Sequence, residues 1–198
     1  SGGPMATPGT YMASLSLEKE GVIAPLDGPV SFEVRPIRDG VLEGVNYATF
    51  NNYFESVKTL LNESAAYEDA LSMADKKLAM FETALYRTNT DPQAILSLIT
   101  EAKKALAGLR KQIDGSPSKN IIGERNPASW QDHLSVAMRG MGTTYGPTPL
   151  HKQSLQIAAE LLENMKAAIK DVAQEKVPAI EAALIKAGAP YMSGQGIE

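Results

Sequence analysis

The chain has two imidazoles, His133 beside Asp132 and His151 two residues after Pro149. A metal site commonly places histidines at i and i+3 or i+4, or pairs one with spaced carboxylates, and neither residue has such neighbours in sequence. Each reads as a surface or helix-capping histidine. A Ser-His-Asp arrangement is equally unsupported, because no Gly-x-Ser-x-Gly elbow occurs. With no cysteine in 198 residues, there is no thiolate nucleophile, no disulfide framework and no Cys-based zinc site.

Carboxylates are more plentiful, and a glycosidase would need two of them facing each other across a cleft. Glu63, Glu68, Asp69, Asp75 and Glu82 fall in one segment, where Glu68, Asp75 and Glu82 are seven residues apart. That spacing places the three on one helical stripe, read as a solvated face or a row of partners for lysines. Two glycine-bearing stretches, Arg139 to Thr144 and Ser193 to Gly196, lack the strand-turn-helix context and the Gly-Lys-Ser/Thr ending of a phosphate loop. They read as connectors. The span from Trp130 to Tyr145 holds the chain's single tryptophan together with Asp132, His133, Arg139 and a tyrosine. Aromatic rings beside polar groups suit a docking surface for protein or carbohydrate, and Trp130, His133, Arg139 and Tyr145 are the residues expected to form one. The competing expectation is that Trp130 plugs the end of a helical bundle.

The elements that must hold these residues follow from periodicity. From Tyr47 to about Thr88 there is no Gly or Pro, and Phe50, Val57, Leu71, Leu78 and Leu85 stand at multiples of seven, with Ser64 interrupting the series. A second row runs through Phe54 and Leu61, then shifts by one to Tyr67, Ala74 and Phe81. Both rows lie on one helical face that requires partner helices. The helix would be roughly 60 Å long, with a break near Asn62 or Tyr67 allowed but not demanded. Thr90 or Asp91 caps a second helix with Pro92 at its first helical position, the seam being Ile95, Ile99, Ala102, Leu106, Leu109 and Ile113, and Gly115 the stop. The short connection predicts an antiparallel hairpin with Phe81 and Leu85 near Ile95 and Ile99, and Leu61 nearer Ile113.

Residues 115 to 148 are less regular, with a short helix expected from Pro127, capped by Asn126, to about Arg139. Thr148-Pro149 repeats the cap signature before a helix with Leu155, Ala158, Leu162, Met165, Ile169 and Val172 on one face. Pro178 predicts a kink or restart, and Gly188 followed by Pro190 a stop. Before all of these, Tyr11 to Leu17 and Val30 to Val34 alternate as half-buried strands do, punctuated by Asp27-Gly28-Pro29 and Pro36. Two or three strands are too few for an independent sheet. They should cover themselves on the helices through Leu15, Leu17, Phe32 and Val34, or pair with a second copy of the chain.

Composition agrees with a mainly α chain. The apolar share is 43%, aromatics are 6%, and packing must rest on Ala, Leu, Ile, Val and Met. A net charge of −4, with lysines and arginines interspersed among acids, leaves no basic stripe for nucleic acid. No apolar run reaches the roughly 18 residues of a membrane span, and the first residues have neither the basic nor the apolar region of a signal peptide.

Gly3-Pro4-Met5-Ala6-Thr7-Pro8-Gly9-Thr10-Tyr11, then Pro29-Val30-Ser31-Phe32-Glu33-Val34-Arg35-Pro36, resembles the last strands of the Ig-like sandwich that follows the β-propeller in large bacterial sortilin-like proteins. Residues 153 to 191, with Lys176-Val177-Pro178-Ala179-Ile180-Glu181 and Ala187-Gly188-Ala189-Pro190-Tyr191, resemble their C-terminal stretch. Those proteins are often labelled glycosyl hydrolases because their propellers carry Asp-box (BNR) repeats. No Asp-box occurs here, so the resemblance brings no catalytic residue, cofactor or metal to this chain. It implies a β segment over residues 1–38, the end of a truncated sandwich, followed by an antiparallel helical bundle over 39–198. It implies a C-terminal module of a bacterial protein in an extracytoplasmic setting, periplasmic, secreted or on the surface. The expected function is non-catalytic, an accessory or interaction module whose partner is the parent propeller, another protein or a glycan, with self-association through the N-terminal strands. The alternative is part of a glycoside hydrolase that contributes to substrate binding.

Overall fold

The computed structural model describes residues 6–35, 46–88, 91–143, 145–190 and 192. The chain is mainly α-helical, with a two-stranded antiparallel sheet at its N-terminus. The expected boundary at residues 38 and 39, and the Ser193 to Gly196 stretch, lie outside the described residues.

Strands β1 (Gly9–Lys19) and β2 (Val22–Val34) form one long hairpin. Its turn is Glu20-Gly21, with φ of 54° and 78°. Two consecutive positive-φ residues match the right-handed twist of the flanking strands, and glycine at the second position tolerates that backbone. Asp27-Gly28-Pro29 therefore does not precede the second strand, as its composition implies. It lies inside β2, where the register slips twice against β1. Gly28 is required there, since a Cβ would sit 2.7 Å from the Ala13 carbonyl oxygen.

Helix α1 (Tyr47–Leu85) runs unbroken for 39 residues, opened by Asn46, whose side chain accepts a bond from the Thr49 amide. Neither Asn62 nor Tyr67 interrupts it. The buried row beside Val57, Leu71, Leu78 and Leu85 is Tyr53, Leu60, Ala74 and Phe81, with Tyr67 half-buried between them. That series keeps one seven-residue register throughout, so no shift occurs. Phe54 and Leu61, expected on the seam, sit one position off it and are only half-buried.

Helix α2 (Gln93–Asp114) buries all six residues of its expected seam. Its N-cap is Pro92 rather than Asp91, one residue later than expected, with Thr90 outside the described residues; Asp91 still accepts from the Gln93 amide, and Gly115, at φ 84°, ends the helix. Arg110 pairs with Glu68 and Lys103 with Glu82, so α2 ascends as α1 descends. Leu61 and Ile113 line one groove, as the antiparallel hairpin requires.

A short α3 (Pro117–Ile121) precedes α4 (Trp130–Arg139). The cap of α4 is Ser129 rather than Asn126: its hydroxyl accepts from the Asp132 amide while the Asp132 carboxylate accepts from the Ser129 amide. Asn126 instead clamps the loop to Ser116 through both of its amide atoms. Helix α5 (Pro149–Lys170) opens on Thr148 with proline in its first turn, as expected. It passes through a π-helical turn (Asp171–Lys176) into α6 (Val177–Lys186). The Val177 amide bonds to the Val172 carbonyl, five residues back. This widening, immediately before the missing N–H of Pro178, keeps the column continuous where a break was one of the expected outcomes. At the end, Gly188 at φ 73° lets the Ala189 and Gly188 amides reach the Leu184 and Ile185 carbonyls, a Schellman closure.

The core lies between α1, α2 and the α5–α6 column, with α4 packed on α5 and α2 at one end. Phe81, Leu71, Leu78, Leu85, Ile99, Ile169, Ile180 and Leu184 are its largest fully buried side chains. Ion pairs tie α1 to each neighbour: Lys77 to Glu181 on α6, Lys103 to Glu82 and Arg110 to Glu68 from α2, and Lys166 of α5 to Glu63. The hairpin has no such covering. Leu15, Leu17 and Phe32 are exposed and Val34 is half-buried, so the expected packing of the strands on the helices does not occur. At the base of the ribbon, Thr7 and Tyr11 approach Phe50, Asn51 and Phe54 around an open cavity of about 460 Å³.

Candidate docking surface

Helix α4 and the loop after it place the four residues singled out from sequence. The capping box fixes where α4 begins, and that phase turns Trp130, Leu134 and Ala137 inward. Trp130 is 6% exposed, and its indole Nε1 donates to the Ala158 carbonyl of α5 at 2.9 Å. Its ring joins the core. It plugs the end of the bundle, with a flank bordering a groove of about 560 Å³ between α1, α2, α4 and α5. His133 is half-buried on α4, Arg139 is exposed in its last turn, and Tyr145 is exposed in the following loop.

Ser64, where the seven-residue apolar series is interrupted, lines the groove beside Trp130. A larger apolar residue at this position of the seven-residue series would fill the space, whereas serine turns its hydroxyl back to the Leu61 carbonyl. Leu134, Leu162 and Met165 form the apolar floor, and Glu68, Asp114 and Gln131 the rim.

Two functional-looking features resolve into structure. His151 Nδ1 accepts from the Thr148 amide while Thr148 Oγ1 accepts from the His151 amide, so this histidine caps α5. Gly140, in the glycine stretch after α4, makes room for Tyr53. A Cβ on Gly140 would lie 2.8 Å from the Tyr53 hydroxyl and 2.9 Å from His151 Cβ. That hydroxyl donates to the Ala137 carbonyl at 2.6 Å, and burial raises its pKa above the ordinary phenol value. Tyr53 thus joins α1 to the end of α4, a role that sequence reading missed because it followed Phe54. The signal was present, since Tyr53 is seven residues before Leu60.

The acidic stripe behaves as partners for cations: Glu68 and Glu82 pair with Arg110 and Lys103, while Asp75 is exposed between them. Lys166 is held above the ordinary lysine pKa by hydrogen bonds to Glu163 and then Glu63. Asp132 is held below the usual carboxylate range, chiefly by the Ser129 amide and then its hydroxyl. Among the described residues, no group of three or more His, Asp or Glu side chains is arranged to hold a metal ion. No buried side-chain nitrogen or oxygen among them lacks a partner, and no helix is long and apolar enough to cross a membrane.

Comparison with protein-family models, with curated proteins and with solved structures finds no match to this chain. The described residues thus include an apolar groove with a polar rim, the exposed Arg139 and Tyr145 with half-buried His133 on and after α4, and a β ribbon whose apolar side chains are largely exposed.

Proposed function

We propose that this chain is a non-catalytic accessory module whose work is to hold partners together. The observation that carries this reading is the β ribbon. Leu15, Leu17, Val22, Val30 and Phe32 all stand in water on strands that make no sheet beyond two, although a ribbon of this kind is marginal in isolation. A surface built this way gains stability when something covers it. The resemblance to the C-terminal region of bacterial sortilin-like propeller proteins adds the setting. There the ribbon would complete an Ig-like sandwich, and His133, Arg139 and Tyr145 would face the propeller, another protein or a glycan, outside the cytoplasm.

The test is enzymatic. The purified chain is incubated with aryl glycosides and polysaccharides, and the account expects no hydrolysis above a heat-denatured control. Turnover that disappears on replacing a carboxylate such as Glu68 or Asp75 would overturn the accessory reading and make this a glycoside hydrolase component.

A further inference from the structure

The two outer edges of the ribbon are not alike. Strand β2 carries Pro25 and Pro29, Asp27 turned back on the Gly28 amide, and both register slips. Prolines, bulges and charges are the devices that blunt a sheet edge against further pairing. Strand β1 has none of these through Ser16: Gly9 to Lys19 contains no proline, and its only charges are Glu18 and Lys19 beside the turn. One edge is closed and the other is open.

Alternate side chains along the open edge, from Tyr11 to Leu17, lie on one largely apolar face. Tyr11 lies opposite Phe32, Ala13 opposite Val30, Leu15 opposite Asp27 and Leu17 opposite Ala24, so the face is apolar except at Asp27, between the two register slips. The Tyr11 and Phe32 rings stack with centroids 6.0 Å apart. Whatever extends the sheet at β1 must continue that face. It must also keep like charges apart at the tip.

We infer that the open edge of β1 pairs antiparallel with β1 of a second copy of this chain, giving a continuous four-stranded sheet about a two-fold axis near Ser14. Ser14 is the midpoint of β1, so this register uses the whole strand. It sets Tyr11 against Leu17 of the second copy and Ala13 against Leu15, while Glu18 meets Thr10 and Lys19 meets Gly9. No like charges are opposed. Parallel pairing would instead stack Glu18 on Glu18 and Lys19 on Lys19, which is destabilising. Four strands with one face apolar except at Asp27 pass the minimum at which a sheet holds on its own, which two do not.

This inference rests on the interaction reading of the ribbon, and it is tested separately from catalysis. Sedimentation velocity of the full chain across the micromolar to sub-millimolar range should show a reversible monomer–dimer equilibrium. Leu15→Lys should weaken it by about tenfold or more by placing a charge on the shared face. The control Leu150→Lys, at an equally exposed leucine on α5, should not, and both variants should keep the helical circular dichroism of the parent. Because the chain lacks cysteine, single-cysteine variants report the register. Ser14→Cys should cross-link to a disulfide dimer under mild oxidation, whereas Glu20→Cys, whose copies would lie roughly 40 Å apart at opposite tips, should not. A chain that stays monomeric throughout overturns the inference and leaves the accessory reading to its own assay. A dimer that survives Leu15→Lys, or that cross-links through position 20 and not 14, also overturns it.

Discussion

Leu78 on α1 and Leu17 on β1 are the same side chain in opposite circumstances. Leu78 has no accessible surface and sits in a cluster to which α1, α2 and the α5–α6 column all contribute, while Leu17 keeps 49% of its surface in water. Both belong to regular apolar patterns. The difference is the number of layers: a helix face with a seven-residue repeat packs against α2, α5 and α6, whereas among the described residues the strand face beyond Tyr11 is covered by little besides its own hairpin partner. Periodicity identifies a face that must be covered and does not say whether the same chain supplies the cover.

Substitutions at matched positions sharpen that contrast. Phe81→Ala, which empties a site at 1% exposure, should cost about 3–5 kcal/mol of unfolding free energy, and Leu78→Ala about 2–5 kcal/mol. Leu17→Ala in the monomer should stay within about 0.5 kcal/mol. Urea denaturation followed by circular dichroism at low protein concentration checks all three. Equal losses at Leu78 and Leu17 would erase the distinction between the two regions.

Trp130 tests the same boundary from the helical side. Trp130→Ala should cost about 3–5 kcal/mol because the ring fills the bundle end. Trp130→Phe, which keeps most of the volume but releases the Ala158 carbonyl bond, should cost about 1–3 kcal/mol. A near-neutral Trp130→Ala would return this ring to the docking surface.

The bundle was largely legible because its signals are local and redundant. All six seam residues of α2, the Thr148-Pro149 start of α5 and the Gly188 stop follow from spacing and capping chemistry alone. The failures have physical causes. The first half of α1 offers two aromatic rows one residue apart, and only tertiary packing chooses Tyr53 over Phe54. Asn126-Pro127 mimics a helix start, but the reciprocal Ser129 and Asp132 bonds satisfy two amides and fix the start three residues later. In the ribbon, Asp27-Gly28-Pro29 carries turn residues yet stays within a strand, since an edge strand tolerates proline and a bulge absorbs the extra residues. Of the four residues singled out from sequence, Arg139 and Tyr145 are exposed and His133 is half-buried, while burial of Trp130 depends on helix phase, and the groove beside it depends on a partner face invisible from α1 alone.

Smaller effects complete the order. Ser129→Ala should lose about 0.5–2 kcal/mol through the α4 cap. Asp132, depressed in the folded state, contributes stability that is present above its unfolded pKa and lost as pH falls through the folded value. The stability gap between the parent and Asp132→Asn should therefore be full near neutrality and close as pH drops below about 4. A gap that persists unchanged into acid would remove the carboxylate from the cap. Glu82→Gln, at a partly exposed ion pair, should change stability by about 1 kcal/mol or less and fade with added salt.

The proposed division between a self-sufficient bundle and a ribbon that takes a partner is tested most directly by deleting residues 1–36 and following thermal unfolding by circular dichroism at 222 nm. The account predicts a single cooperative transition, with the helical signal of α1, α2, α5 and α6 retained and a midpoint close to that of the full chain. A truncated chain that melts without a cooperative transition, or that is already unfolded at room temperature, would contradict it.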